Sequence, residues 1–385
     1  PALVNRGFIR RINTPIIRAY PKNKKHEVKI FYYENEFTEW SKKNDSGKYD
    51  IKYYKGLGTH KGFPSHELET MFKNIDNKII TYYLDKRSLI NMHIFYGKDT
   101  FPRKKQLSYP VTKYPLQSNE IPVSEQFLIN TKLQQRDNIL RKILSLIDGF
   151  VDSRRKIFFI SRTRARDEIR VNTLAGYIIA DADYHHGEKS LCDSITRMAQ
   201  GYKSARNLPL LVPRGSFGDL SMGYKDAASA RYISTMLNYK LTDKLFRKED
   251  DYVLEYTPIE GIYYEPKYYV PIIPYALLEN NKIPATGWKI VTYARDLDAI
   301  FLNTRKMIKG EIDKCGKLVA WLKDFKGKYV QVNGKVYCLG KYEYIKSKNA
   351  IHITELPLDT YSIAYIHGSE NATKKIQDKK KENNK

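Results

Sequence analysis

Apolar and polar residues alternate over short stretches at the start of the chain. Gly7 to Ala19 reads as two short strands, Lys29 to Tyr33 and Asp50 to Tyr54 as two more, and Glu36 to Lys43 as a short helix. Strands interleaved with helices predict an α/β unit. Ser65 is placed to cap the next helix, with Glu67 and Glu69 in its first turn; Leu68 three residues on rules out a full capping box. Phe101 to Pro122 mixes Pro, Lys and Tyr with few periodic apolar positions, which predicts a surface linker. Leu140, Ile143, Leu144 and Ile147 then recur at helical spacing, followed by Arg154 to Ile160. Leu191, Ile195, Met198 and Ala199 mark a second helix, and Ala227 to Leu237 is predicted as a third. Short helices joined by turns on a basic surface are the pattern of helix-turn-helix modules. Past Tyr252 the chain turns Tyr- and Pro-rich, with a helix expected over Leu297 to Lys309 and a hairpin around Asn333-Gly334. Lys374 to Glu382 reads as a solvated, lysine-rich tail.

The charge narrows the partner. Lys and Arg number 67 against 43 Asp and Glu, a net charge of +24, which favours capture of a polyanion. No basic helix with a bulky apolar face and no run of about 20 apolar residues suits a membrane. With 31 Tyr as stacking and hydrogen-bonding groups, nucleic acid is the better match. Cys192, Cys315 and Cys338 are far apart and lack CxxC spacing, which fits reduced, inert thiols rather than a zinc site. The first residues lack a signal-peptide layout and a starting Met, so the chain is read as not secreted and as a section of something longer.

The stretch from Gly176 to Leu237 holds the candidate chemistry. Three segments, Ala182 to Leu191, Leu210 to Gly218 and Gly223 to Ile233, mix His, Arg or Lys with Gly turns, so cations and backbone can approach a phosphate closely. A phenol with a pKa of ~10 is a poor nucleophile at neutral pH and needs help to lose its proton. Arg231 beside Tyr232 supplies a guanidinium that stabilises a phenolate and the charge of an in-line phosphoryl transition state. His185 and His186 add proton acceptors or phosphate contacts. Asp181 and Asp183 have the spacing of a metal motif, but a pair near a turn reads as structural, and Gly56-Leu57-Gly58 lacks a Walker lysine. The residues alone thus yield a basic α/β nucleic-acid-binding protein.

At these segments the sequence resembles type IIA DNA topoisomerases. Tyr54 to Thr59 is similar to the closing motif of their Toprim domain, and Asp148 to Lys156 to the entry of their winged-helix domain. Tyr184 to Glu188, Ser216 to Gly218 and Lys225 to Tyr232 follow at family-like spacing, and Thr286 to Trp288 and Ile353 to Pro357 continue into the region the family calls the tower. The resemblance implies a multidomain α+β chain: the end of an α/β Toprim domain (1–100), a linker (101–130), a helical winged-helix domain (131–255), an α+β tower (256–360) and a lysine-rich tail (361–385). It implies that Tyr232 forms a transient ester with a DNA 5′ phosphate, with Arg231 as its electrostatic partner. Arg154, Arg155, Lys156, His185, His186 and Lys225 would hold double-stranded DNA by its phosphates. The parent enzyme would be a homodimer that uses Mg2+ and ATP.

Departures from the pattern shape these expectations. The acidic Mg2+-binding motifs would precede Pro1 and a coiled coil would follow Pro357, so neither metal nor ATP is assigned to residues here. The chain is expected to bind DNA and cleave little by itself. An isoleucine that wedges between base pairs in relatives corresponds to Pro284, or to Ile283 after a one-residue slip. The pattern also differs at Tyr224, Ala230 and Ser234. The proline and the Lys/Asn/Tyr/Ile-rich composition are most like enzymes of large cytoplasmic DNA viruses. That implies the host cytoplasm if the source is viral and the nucleus if it is cellular. The alternative is a non-catalytic basic DNA-binding module of the same fold.

Overall fold

The computed structural model describes residues 1–23, 27–54, 66–73, 75–112, 118–203, 205–259 and 262–369. The Gly56-Leu57-Gly58 turn, Ser65 and the lysine-rich stretch from Lys374 lie outside them. The chain forms two compact units, Pro1–Asn138 and Ile139–Lys385. Among the described residues no helix is long and apolar enough to cross a membrane.

In the first unit Ile17–Pro21 is the central strand of an antiparallel sheet between Lys29–Phe31 and Tyr49–Tyr53. Its alternating side chains bury Ile17 and Ala19 against Phe31, Phe37 and Trp40. The Glu34–Lys43 helix closes over them, its entry fixed by the Glu36 carboxylate, which accepts from the backbone amides of Tyr32 (2.8 Å) and Tyr33 (3.2 Å). A second sheet has the order Arg10–Ile12, Ile79–Tyr83, Glu120–Pro122, with its last pair parallel.

The expected linker at 101–130 is mostly folded. Phe101–Ser108 is a helix with Pro102 in its first turn, where a missing N–H costs nothing. Glu120–Pro122 is a strand, and Val123–Gln126 and Phe127–Thr131 continue as helical turns. Leu107, Ile121, Val123, Phe127 and Ile129 are buried, so spaced single apolar residues do here what a periodic run does elsewhere.

In the second unit the helices Asp152–Arg164, Val171–Asp181 and Glu188–Ala199 share one core through Ile157, Phe158, Leu174, Ile178, Leu191 and Ile195. A three-stranded sheet, Ile169–Arg170, Ser234–Leu237, Leu211–Arg214, flanks them. The helix expected over Ala227 to Leu237 is therefore absent. Ile233, Thr235 and Leu237 are buried while Ser234 and Met236 face outward, a period of two that the surrounding alanines mask in the sequence. Gly149 has φ +71°, and a Cβ there would lie 2.7 Å from the Ala276 backbone nitrogen, so this position admits glycine alone.

The rest of the second unit is a run of hairpins, Tyr256–Ile259 with Ile262–Pro266, Asn281–Ala285 with Trp288–Thr292, Lys328–Val332 with Lys335–Leu339 and Lys341–Ile345 with Ala350–Glu355. Asn333 (φ 48°) and Gly334 (φ 73°) make the predicted tight turn. The Leu297–Ile308 helix is capped by Asp296, whose carboxylate accepts from the Ala299 amide at 2.9 Å.

Candidate active site

Tyr232 ends a turn that leads into the central strand of the second unit's three-stranded sheet. Its amide donates to the Ser229 carbonyl at 2.8 Å. The turn is bound on both sides of the Arg231–Tyr232 pair to the start of the Val171–Asp181 helix. The Val171 amide donates to the Ile233 carbonyl (3.0 Å) and the Asn172 amide to the Ala230 carbonyl (3.3 Å). The first amides of a helix have no partner within it, so clasping the turn satisfies donors that need acceptors. Ile233 is buried and Ala230 packs against the core, whereas Arg231 is exposed and the Tyr232 side chain is 76% exposed. A fixed backbone thus presents two adjacent side chains to solvent. A cleft of about 670 Å³ lies beside Arg231, lined also by Asn172, Cys192 and Arg197. Burial, and then Glu188 and Asp193, push the Cys192 thiol above its usual range, so it stays protonated.

His185 and His186 lie on the exposed turn that follows the Val171–Asp181 helix. His186 Nε2 is 2.8 Å from Arg141 Nη1, and its ring meets the buried Tyr184 edge-on at 5.4 Å. His185 pairs with Asp183, which has a left-handed φ of 50°. Asp181 pairs with Arg164 at 3.2 Å. Both members of the Asp-x-Asp pair are thereby committed, and among the described residues no group of three or more His, Cys, Asp or Glu is arranged to hold a metal.

Arg154, Arg155 and Lys156, expected to hold phosphates, turn inward. Lys156 is buried, donating to the Ala182 carbonyl at 2.8 Å and pairing with Glu265 at 2.6 Å. Arg155 forks onto Asp148 at 2.8 and 3.1 Å, while the same carboxylate accepts from the amides of Phe150 (2.9 Å) and Tyr269 (3.1 Å). Arg154 pairs with Glu279 at 2.9 Å and donates to Asn281 at 3.0 Å. Glu279 also pairs with Arg206 and accepts from Tyr275 Oη at 2.7 Å. Burial pushes the Glu279 carboxyl up, but Arg206 and Arg154 outweigh it and hold the group below its ordinary value. Arg206 and Glu279 carried no signal in the sequence, since each lies far along the chain from its partners. Lys225 falls in the Gly223–Asp226 turn, and its side chain lies outside the described residues.

The two wedge candidates sit on opposite faces of one strand. Ile283 is half-buried opposite Ile290, and Pro284 is exposed opposite Lys289.

Residues 141–385 match the family model of the DNA gyrase/topoisomerase IV A-type chain, and residues 12–138 match that of the C-terminal associated domain of TOPRIM. DNA topoisomerase 2 of African swine fever virus (strain Badajoz 1971 Vero-adapted) is 36% identical over 98% of this chain and 33% of its own length. DNA topoisomerase 2 of Caenorhabditis elegans is 34% identical over 95% of this chain and 25% of its own length. The chain therefore spans a third or less of these relatives. A crystal structure of the Plasmodium falciparum topoisomerase II DNA-binding, cleavage and re-ligation domain superposes with a TM-score of 0.79 at 30% identity, covering 95% of this chain and 49% of that one. With the exposed Arg231–Tyr232 turn set on a winged sheet, these matches place the chain in the type IIA DNA topoisomerase family.

Proposed function

We propose that this chain carries the breakage and reunion chemistry of a type IIA topoisomerase on double-stranded DNA, with Tyr232 as nucleophile. The phenol oxygen attacks a backbone phosphorus in line, the bond from phosphorus to the 3′ oxygen breaks, and the leaving oxygen takes up the proton that the phenol gives up. A 5′-phosphotyrosyl ester and a free 3′ hydroxyl result. The reverse step reseals the strand with no outside energy, because one phosphodiester-like bond replaces another. Arg231 stabilises charge on the phenolate and on the phosphoryl oxygens. His185, His186 and Lys225 hold the duplex by its phosphates. Arg154, Arg155 and Lys156 act behind them, fixing the scaffold through buried ion pairs. In the parent homodimer two such tyrosines cut opposite strands so that a second duplex passes. Mg2+ and ATP are assigned to other parts of that enzyme. The acidic pair beside the His turn is already neutralised by Arg164 and His185, and no step is routed through a metal.

One observation carries this reading. Tyr232 is 76% exposed although the backbone on both sides of the Arg231–Tyr232 pair is anchored to a helix, the geometry of a presented nucleophile rather than a packed ring. Denaturant-trapped covalent complexes with 5′-labelled DNA test it in the full-length enzyme. Tyr232→Phe is expected to abolish the adduct while leaving duplex binding intact. Equal adducts in both proteins would remove Tyr232 from the role, and a 3′ linkage would point to a different class of tyrosine enzyme. The chain alone is expected to bind DNA and leave it uncut; strong metal-dependent cleavage would contradict the assignment of the metal elsewhere.

A further inference from the structure

The sheet that carries Tyr232 has a second charged feature, one pleat further along. Its central strand pairs with Ile169–Arg170 on one side and Leu211–Arg214 on the other, and Ser234 is the register partner of both Arg170 and Arg214. Residues directly opposed in antiparallel strands point to the same face, so the three side chains form a row across the sheet. The row lies on the solvent face. Ile233 and Thr235 on either side of Ser234 are buried, while both arginines are exposed. The Arg214 guanidinium lies along this face, 3.9 Å from Met236 Sδ. With strands about 4.8 Å apart, the two arginine backbones stand roughly 10 Å from each other with a hydroxyl midway.

These arginines differ from their neighbours. Arg154, Arg155, Arg162, Arg164, Arg166 and Arg206 each pair with a carboxylate. Among the described residues no carboxylate pairs with Arg170 or Arg214. Two uncompensated guanidinium groups on one rigid face, with a hydroxyl donor between them, suit a single doubly coordinated oxyanion.

We propose that Arg170, Ser234 and Arg214 form a clamp for one phosphodiester of the strand that Tyr232 attacks, beside the scissile position. Two observations join it to the nucleophile. Ser234 follows Tyr232 by two residues, about 6.6 Å at strand rise, and the Val171 amide next to Arg170 holds the carbonyl between them. Such a contact carries no base preference; it fixes the register of the strand on the protein. The clamp rests on the reading of this face as a DNA-cleaving surface.

The test is duplex binding by the full-length enzyme, measured by fluorescence anisotropy over a KCl series. Wild type is compared with Arg170→Gln, Arg214→Gln and the double variant. Losing one phosphate contact lowers the slope of log K against log salt by about 0.9, so that drop is expected in the double variant, with Arg→Lys versions keeping the slope. A single methylphosphonate beside the cleavage position should weaken wild-type binding and erase its advantage over the double variant. An unchanged slope overturns the clamp. So does a drop of about two that no single neutral phosphate erases, because that outcome means two separate contacts. The exposed substitutions are checked by an unchanged thermal midpoint. Tyr232→Phe should leave the slope untouched, so loss of the adduct reading and loss of the clamp are separately visible.

Discussion

The Val171 amide donates to the Ile233 carbonyl over 3.0 Å, so the residue that follows Tyr232 is held by the first free amide of a helix. That donor can be removed without breaking the helix. Val171 is its first residue, where proline is tolerated, and Arg170 before it has φ −63° and ψ 141°, which suits a residue preceding proline. Val171→Pro is expected to fold and bind DNA yet lose adduct formation by about 10- to 100-fold, since small misplacements of a nucleophile cost that much. Val171→Ala, which keeps the amide and loses the buried side chain, separates the clasp from packing. Equal adduct yields in the two variants would show that the clasp does not position the tyrosine.

Arg231 is expected to act on the chemical step rather than on binding. Arg231→Gln should lower the single-turnover cleavage rate about 10²- to 10³-fold, the effect of removing one transition-state donor, with DNA affinity changed only a few-fold. Arg231→Lys should recover part of the rate, because the charge returns but the fork does not. A variant that binds poorly and cleaves normally once saturated would make Arg231 a binding residue.

Much of this site was legible where the signal is local. Strand alternation from Gly7 to Tyr54 and the Asn333-Gly334 turn depend on neighbouring residues only, and the elements form where expected. Ser234–Leu237 is harder to read, because four strand residues follow an alanine-rich stretch that favours a helix. The inward turn of Arg154 was not legible at all: Glu279, its partner, is 125 positions away, and a basic run at a helix start looks the same whether it meets phosphate or a buried carboxylate. The clasp on the Tyr232 turn is made by backbone groups, which no side-chain pattern announces.

Lys156 connects stability to the His turn. Lys156→Met leaves Glu265 buried without its cation, a loss of about 3–5 kcal/mol for a broken buried pair. Lys156→Met with Glu265→Leu should recover most of that in urea unfolding, because two apolar groups replace two charges. The Ala182 carbonyl still lacks its donor in the double variant. Faster amide exchange over residues 182–187 and a several-fold lower adduct yield are therefore expected despite restored stability. Full recovery of both would confine Lys156 to the core.

Glu279 should make the second unit sensitive to acid. Its folded pKa is depressed below the ordinary 4.5, so its stabilisation is present above about pH 4.5 and is lost as pH falls through the lower folded value. Glu279→Gln leaves Arg154 and Arg206 without their shared counter-charge, at a cost of about 3–5 kcal/mol near pH 7. Urea unfolding from pH 7 to pH 3 should show the gap between wild type and variant closing at the acid end. A gap that stays constant would mean the carboxylate is not what the cluster depends on.

The strand Asn281–Ala285 lets the DNA wedge be assigned by exposure. An intercalating side chain must be free to leave the protein surface, and Pro284 is exposed opposite Lys289, whereas Ile283 is half-buried opposite Ile290. Pro284→Ala is expected to abolish DNA bending, read as the end-to-end distance of a doubly labelled duplex, and to leave stability unchanged. Ile283→Ala should lower stability by about 1–2 kcal/mol, less than the 2–5 of a fully buried isoleucine, and keep the bend. Loss of the bend in Ile283→Ala with its retention in Pro284→Ala would transfer the wedge to Ile283. That outcome would also require the hairpin to turn its inner face toward DNA on binding.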